Sequence, residues 1–85
     1  MKMVDSRIEP FRTSETVLAA YLISAGFNTP AIDFVNGSKA YFVFPRDNAD
    51  LEPFINDFNS GRATSNVVVF MAAYQNLIRR IKERY

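Results

Sequence analysis

Few residue types in this chain can do chemistry, and their spacing narrows the choice further. Among its 85 residues there is no His and no Cys. That removes a Ser-His-Asp triad, a Cys-His pair, a zinc hydrolase site, thiolate metal centres and disulfides. Carboxylate and lysine chemistry remains. Asp33 and Lys39 flank an Asn36-Gly37 pair, so a hairpin there would bring them near each other, and Asp47, Asp50 and Glu52 lie close together ahead of an apolar stretch. Each group has a plainer reading. The first is a cross-strand surface pair. The second is a set of carboxylates at a helix start, where free backbone N–H groups favour negative charge. The three glycines are isolated from one another, so no phosphate-cradling loop exists. The expectation is a protein that is not an enzyme and takes no metal or cofactor.

A second kind of chemistry is charge against phosphate. Arg79, Arg80, Lys82 and Arg84 lie together in the C-terminal segment RRIKERY, with Glu83 the single acid among them. They are the candidate nucleic-acid contacts, and Tyr41 with Lys39 could add a stacking platform. The formal net charge of the whole chain is only +1, which predicts no bulk attraction to nucleic acid. Cations at a helix C-terminus also suit the helix dipole with no ligand present.

These residues must be positioned by a small fold. A chain of 85 residues, 48 % hydrophobic and 22 % charged, reads as one folded domain with a thin core. Residues 1–10 read as a flexible arm and 11–85 as a single compact domain. Phe11-Arg12-Thr13 is a short extended segment, an edge strand with Phe11 turned inward. Thr13 or Ser14 is placed to cap a first helix, with Glu15 in its first turn. Val17, Leu18, Tyr21, Leu22 and Ala25 recur at helical spacing, and Ala19, Ala20 and Ile23 widen the stripe. That helix is expected to be buried on more than one side. Gly26 supplies its left-handed terminus.

The segment AIDFVNGSKAYFVF, residues 31–44, reads as two strands around Asn36-Gly37. A two-residue loop would be the favoured local turn. It would place Ile32 and Phe34 on the face opposite Phe42 and Phe44. A loop one residue longer, Asn36-Gly37-Ser38, pairs Val35 with Lys39 and puts Ile32, Phe34, Ala40, Phe42 and Phe44 together. A one-residue slip would cost the whole inner face, so the hydrophobic pattern outranks the turn preference. The longer loop is expected, with a bulge near it. Asp47 or Asn48 is placed to cap a second helix, although Pro53 moves its start nearer residue 51. Its stripe is Leu51, Phe54, Ile55 and Phe58, and Asn59, Ser60 and Gly61 end it. Ser65 or Asn66 caps a third helix with the stripe Val67, Phe70, Met71, Tyr74, Leu77 or Ile78, Ile81 and Tyr85. Strand is the local alternative for Val67-Val68-Val69 alone.

The expected order is β-α-β-β-α-α, a two-layer α/β (α+β) domain. A small three-stranded sheet is built on a central antiparallel hairpin and packed by helices. The first and third helices cover its inner face and the second lies at an edge.

An FxT start, an LAAYL helix ending in GF, a YFVF strand, an FINDF helix and a final AYxxL helix together resemble a small uncharacterised domain family of bacteria and their phages. Phe11, Thr13, Leu18 to Leu22, Gly26-Phe27, Tyr41 to Phe44, Phe54 to Phe58, Ala73-Tyr74 and Leu77 carry the resemblance. It implies a compact stand-alone domain of unknown function, and no catalytic residue comes with it.

The favoured functional expectation is a small protein-interaction or accessory domain, able to self-associate as a homodimer. Val35, Lys39, Tyr41 and Val43 line a sheet face that two helices need not cover. Val68, Val69, Ala72 and Ala73 lie off the main stripe of the third helix. The bland alternative has the second helix covering the sheet face. The opening MKMVDSRIEPF has no apolar run of signal-peptide length, and no stretch reaches the roughly 18 apolar residues of a membrane span. The expected setting is the cytoplasm of a bacterial cell or a phage-infected host, with no membrane association.

Overall fold

The structure, a computed structural model, describes residues 10–35, 39–45 and 51–84, with the backbone alone for Arg84. The elements follow in the order β1 (Phe11–Thr13), α1 (Thr16–Ser24), β2 (Ala31–Val35), β3 (Lys39–Phe44), α2 (Glu52–Asn59) and α3 (Val67–Arg84). The sheet order is β1-β3-β2, and both outer strands run antiparallel to β3. β1 and β2 are thus parallel to each other, with α1 as their crossover and β3 inserted between them.

The register follows the hydrophobic pattern. Val35 pairs with Lys39, Phe34 with Ala40, Asp33 with Tyr41 and Ile32 with Phe42. Three residues, 36–38, therefore separate the last pair, as the longer loop requires; the expected bulge lies outside the described residues. Phe11 pairs with Phe44 and Thr13 with Phe42, so period-two alternation turns Phe11, Ile32, Phe34, Phe42 and Phe44 to one side. Phe42 and Phe44, each 1 % exposed, anchor the core from the sheet.

α1 is the centre of the helical layer. Leu18, Ala19, Ala20, Tyr21 and Leu22 are all buried. Five consecutive buried residues cover more than one helical face, which fits a helix held between the sheet and α3. It starts later than the sequence suggested. Thr13 is still strand, so its hydroxyl accepts the Glu15 N–H at 3.1 Å and caps no helix, while Glu15 occupies the N-cap position itself without a side-chain capping bond. The far end closes as expected. Gly26 has φ +111°, Phe27 N–H donates to Leu22 O at 3.1 Å, and Gly26 N–H donates to Ile23 O at 3.0 Å. That is a Schellman motif, for which glycine carries no Cβ penalty.

α2 begins at Glu52 with Pro53 in its first turn, matching the later start; the caps proposed at Asp47 and Asn48 lie outside the described residues. Leu51 and Ile55 are buried, and Phe54 and Phe58 pack on the same core. The Tyr21 ring lies 6.3 Å from that of Phe54 and 6.1 Å from that of Phe58, and Phe27 meets Phe54 edge-on at 5.2 Å. α2 is thereby committed to α1 and its C-terminal turn, and the alternative of α2 over the outer sheet face is not realised.

Asn66 caps α3: its Oδ1 accepts the N–H groups of Val68 at 2.9 Å and Val69 at 3.1 Å. The β-branched run after it is the first turn of the helix, not a strand. Asn66→Ala should lower stability by about 1 kcal/mol, read as a reduced urea midpoint at unchanged slope; Ser65→Ala, whose hydroxyl bonds Ser24 Oγ at 2.8 Å instead, should cost less.

The core stripe of α3 differs from the expected one. Ala73 and Leu77 are buried, with Phe70, Tyr74 and Ile81 packed against them, whereas Val67 is 73 % and Met71 41 % exposed. The helix is rotated so that Ala73, expected off the main stripe, faces inward. α1 presents two fully buried alanines, Ala19 and Ala20, and small side chains on both helices favour close packing. Among the described residues no helix is long and apolar enough to cross a membrane.

Candidate functional site

Two surfaces carry the residues singled out from the sequence, and they lie in different layers. Val35, Lys39, Tyr41 and Val43 point away from the core on the outer sheet face. Val68, Val69 and Ala72 belong to the helical layer. Each set stays accessible, but the two do not form one surface.

On the outer face, alternation brings Arg12 of β1 and Asp33 of β2 to the same side as Tyr41 of β3. Arg12 Nη1 reaches across the central strand to donate to Asp33 Oδ2 at 2.9 Å. The guanidinium carbon lies 5.0 Å from the Tyr41 ring centroid and Lys39 Nζ lies 5.8 Å from it. Asp33 therefore pairs with Arg12, not with Lys39 as the hairpin alone suggested. Arg12 has no apparent role in sequence until β1 is known to flank β3. Both charged side chains are about half exposed, 45 % and 49 %, so the bridge contributes at most about 1 kcal/mol. The cation–π contacts add a similar small amount. Chemically this is a neutralised ion pair laid over an aromatic ring, with one further cation. Among the described residues no group of three or more acidic side chains could hold a metal ion.

The helical surface is more apolar. Val67, Val68 and Val69 are 73 %, 77 % and 48 % exposed, and Val17 on α1 is 47 % exposed. Beside them opens a cleft of about 300 Å³ lined by Val17, Tyr21, Phe58, Ala63, Val67 and Phe70. Further along α3 the Phe70 and Tyr74 rings stack at 6.2 Å. A second hollow of about 330 Å³ follows, lined by Tyr74, Gln75, Ile78, Arg79 and Lys82. On the other flank of α3 a third, of about 320 Å³, includes Ile23, Val69, Ala72 and Ala73.

The basic end is divided by the helical period. Arg79 and Lys82 are exposed and border the second hollow, while Arg80 is half-buried, with its Nη1 enclosed and lacking a hydrogen-bond partner. The Arg84 side chain lies outside the described residues. Arg79 and Arg80, adjacent in sequence, thus point to different sides of the helix.

A family model matches residues 9–85, described as a domain of unknown function (DUF5659), and the chain belongs to that family. The resemblance carried by the FxT, LAAYL, YFVF and FINDF motifs agrees with membership of an uncharacterised small-domain family. No curated protein and no solved structure matches the chain.

Proposed function

We propose that this member of the DUF5659 family is a non-enzymatic protein-interaction domain that docks through the N-terminal turns of α3. One observation carries the reading. On a well-capped helix, Val67 and Val68 are about three-quarters exposed beside an apolar cleft. Contiguous exposed apolar surface of this kind marks an interaction site, because leaving it in water is unfavourable. The outer sheet face is a poorer candidate, since its central contact is already satisfied internally. The proposed setting remains the bacterial or phage-infected cytoplasm that the motifs suggest. Val67→Asp combined with Met71→Asp should leave the fold intact and abolish co-purification of bound protein from the native cell. Retention of every bound protein by that variant would sink the reading.

A nucleic-acid role for the basic end is a second reading, favoured by the exposed Arg79 and Lys82 around the Tyr74 hollow. The inward turn of Arg80 and the neutralisation of Arg12 by Asp33 weigh against it. Gel-shift titrations with single- and double-stranded DNA and RNA are expected to show no binding at physiological salt. Low-salt binding that weakens steeply as salt rises, and is lost in Arg79→Ala with Lys82→Ala, would favour the nucleic-acid reading instead.

A further inference from the structure

We infer that the surface docked by α3 is a second copy of this chain, the two α3 helices pairing antiparallel about a two-fold axis between Met71 and Tyr74. The inference rests on the interaction reading above and names the partner.

α3 carries two apolar stripes. One, through Phe70, Ala73, Leu77 and Ile81, is spent on the core. The other runs through Val67, Met71, Tyr74 and Ile78, at spacings of four, three and four residues. That is the alternation of a helix–helix seam. Its members are exposed or half-buried, and Val67, Met71 and Ile78 are absent from the residues packed on the core. A soluble helix needs one such stripe to dock on its own domain. Of the second, Tyr74 also packs on the core and stacks on Phe70, whereas Val67, Met71 and Ile78 take no part in the core among the described residues.

The seam is complementary to itself in one orientation. Antiparallel, Val67 faces Ile78 of the second copy and Met71 faces its Tyr74. Two-fold symmetry repeats both pairs, so all four positions of each copy are used. The β-branched Val67 then lies at the hollow lined by Tyr74 and Ile78 of the other copy. Charge selects the same orientation. Arg79 and Lys82, neither of them in an ion pair among the described residues, sit beside the C-terminal half of the seam. A parallel pair would set these cations against their own copies, whereas the antiparallel pair separates them by the length of the seam. At 3.6 residues per turn Val68 lies on the same flank of the seam as Arg79 and Lys82, while Val17 borders the cleft beside Val67. Four seam residues per copy with this rim make less than a standard interface of about 800 Å² per partner. The dimer is therefore weak and concentration-dependent.

The chain contains no cysteine, which makes the test direct. Sedimentation equilibrium of the full chain is expected to show the mass rising toward twice the monomer value between about 10 μM and about 1 mM. Val67→Asp with Met71→Asp, unchanged in circular dichroism, should remain monomeric throughout. Orientation is read by mixing Val67→Cys protein with Ile78→Cys protein and adding a short bis-maleimide. Cross-linked dimer should form in the mixture and only weakly in either protein alone. Strong cross-linking of each protein by itself would indicate a parallel pair and overturn the proposal. A monomer at about 1 mM would overturn it too. If that monomer still loses a foreign bound protein on Val67→Asp with Met71→Asp, the self-pairing falls while the interaction reading stands.

Discussion

Leu77→Ala is expected to remove about 3–4 kcal/mol of folding stability, while Met71→Ala, under two turns away on the same helix, removes less than about 1 kcal/mol. Leu77 is fully buried where α3 enters the core, and Met71 is 41 % exposed on the second stripe. Truncating Leu77 loses the transfer free energy of the deleted carbons and leaves a cavity in the buried cluster that cannot fully collapse. Truncating Met71 uncovers little that was dry. A domain of this size has a total stability on the order of 4–13 kcal/mol. Leu77→Ala should therefore lower Tm by roughly 15–25 °C or leave the chain unfolded at body temperature. Urea titrations at concentrations low enough to keep the chain monomeric measure both, as a change of midpoint at constant slope. Equal costs at the two positions would mean that α3 has one broad stripe and not two.

Phe42→Ala should be as damaging, at about 3–5 kcal/mol, and Tyr41→Ala should cost no more than about 1–2 kcal/mol. The residues are neighbours on the central strand, and only the parity of the strand separates them. Phe42 is 1 % exposed between Thr13 and Ile32, whereas Tyr41 is half-buried under Arg12 and beside Lys39. A two-residue loop at Asn36-Gly37 would exchange their roles. Thermal unfolding of the pair thus tests the register itself. A larger loss at Tyr41 than at Phe42 would show the opposite parity.

Element identity was legible wherever the signal is local. Gly26 and Gly61 both take positive φ, at 111° and 82°, and both end helices. A residue without Cβ at the end of an apolar period has few other uses. The hairpin register was legible for a related reason. Five apolar side chains could share a face under one pairing and not under the other, and that difference outweighs a turn preference worth much less. Thr13 shows the limit of local reading. As a hydroxyl ahead of a helix it looked like a cap, but pairing with Phe42 holds it in β1, and α1 starts three residues on.

The site was less legible than the frame. Asp33 with Lys39 was the visible pair because the hairpin makes them neighbours. Arg12 displaces Lys39 because the sheet order puts β1 on the far side of β3, so a long side chain can span Tyr41. Among the described side chains of the basic cluster, Arg79 and Lys82 remain together on an open face.

The sequence by itself determined the element order, the alternation of the sheet and the ends of the helices, since each depends on contacts within a few residues. It also supplied an α3 with more apolar positions than one face can bury. Which of them became core was decided only in three dimensions, by packing against α1, which leaves Ala73 and Leu77 in the buried cluster with Ala19 and Ala20. That choice turned Val67 and Met71 outward, because a helix that seats one stripe must expose the other. The surface from which function is inferred is therefore a product of tertiary packing, made from residues that the local pattern had assigned to the core.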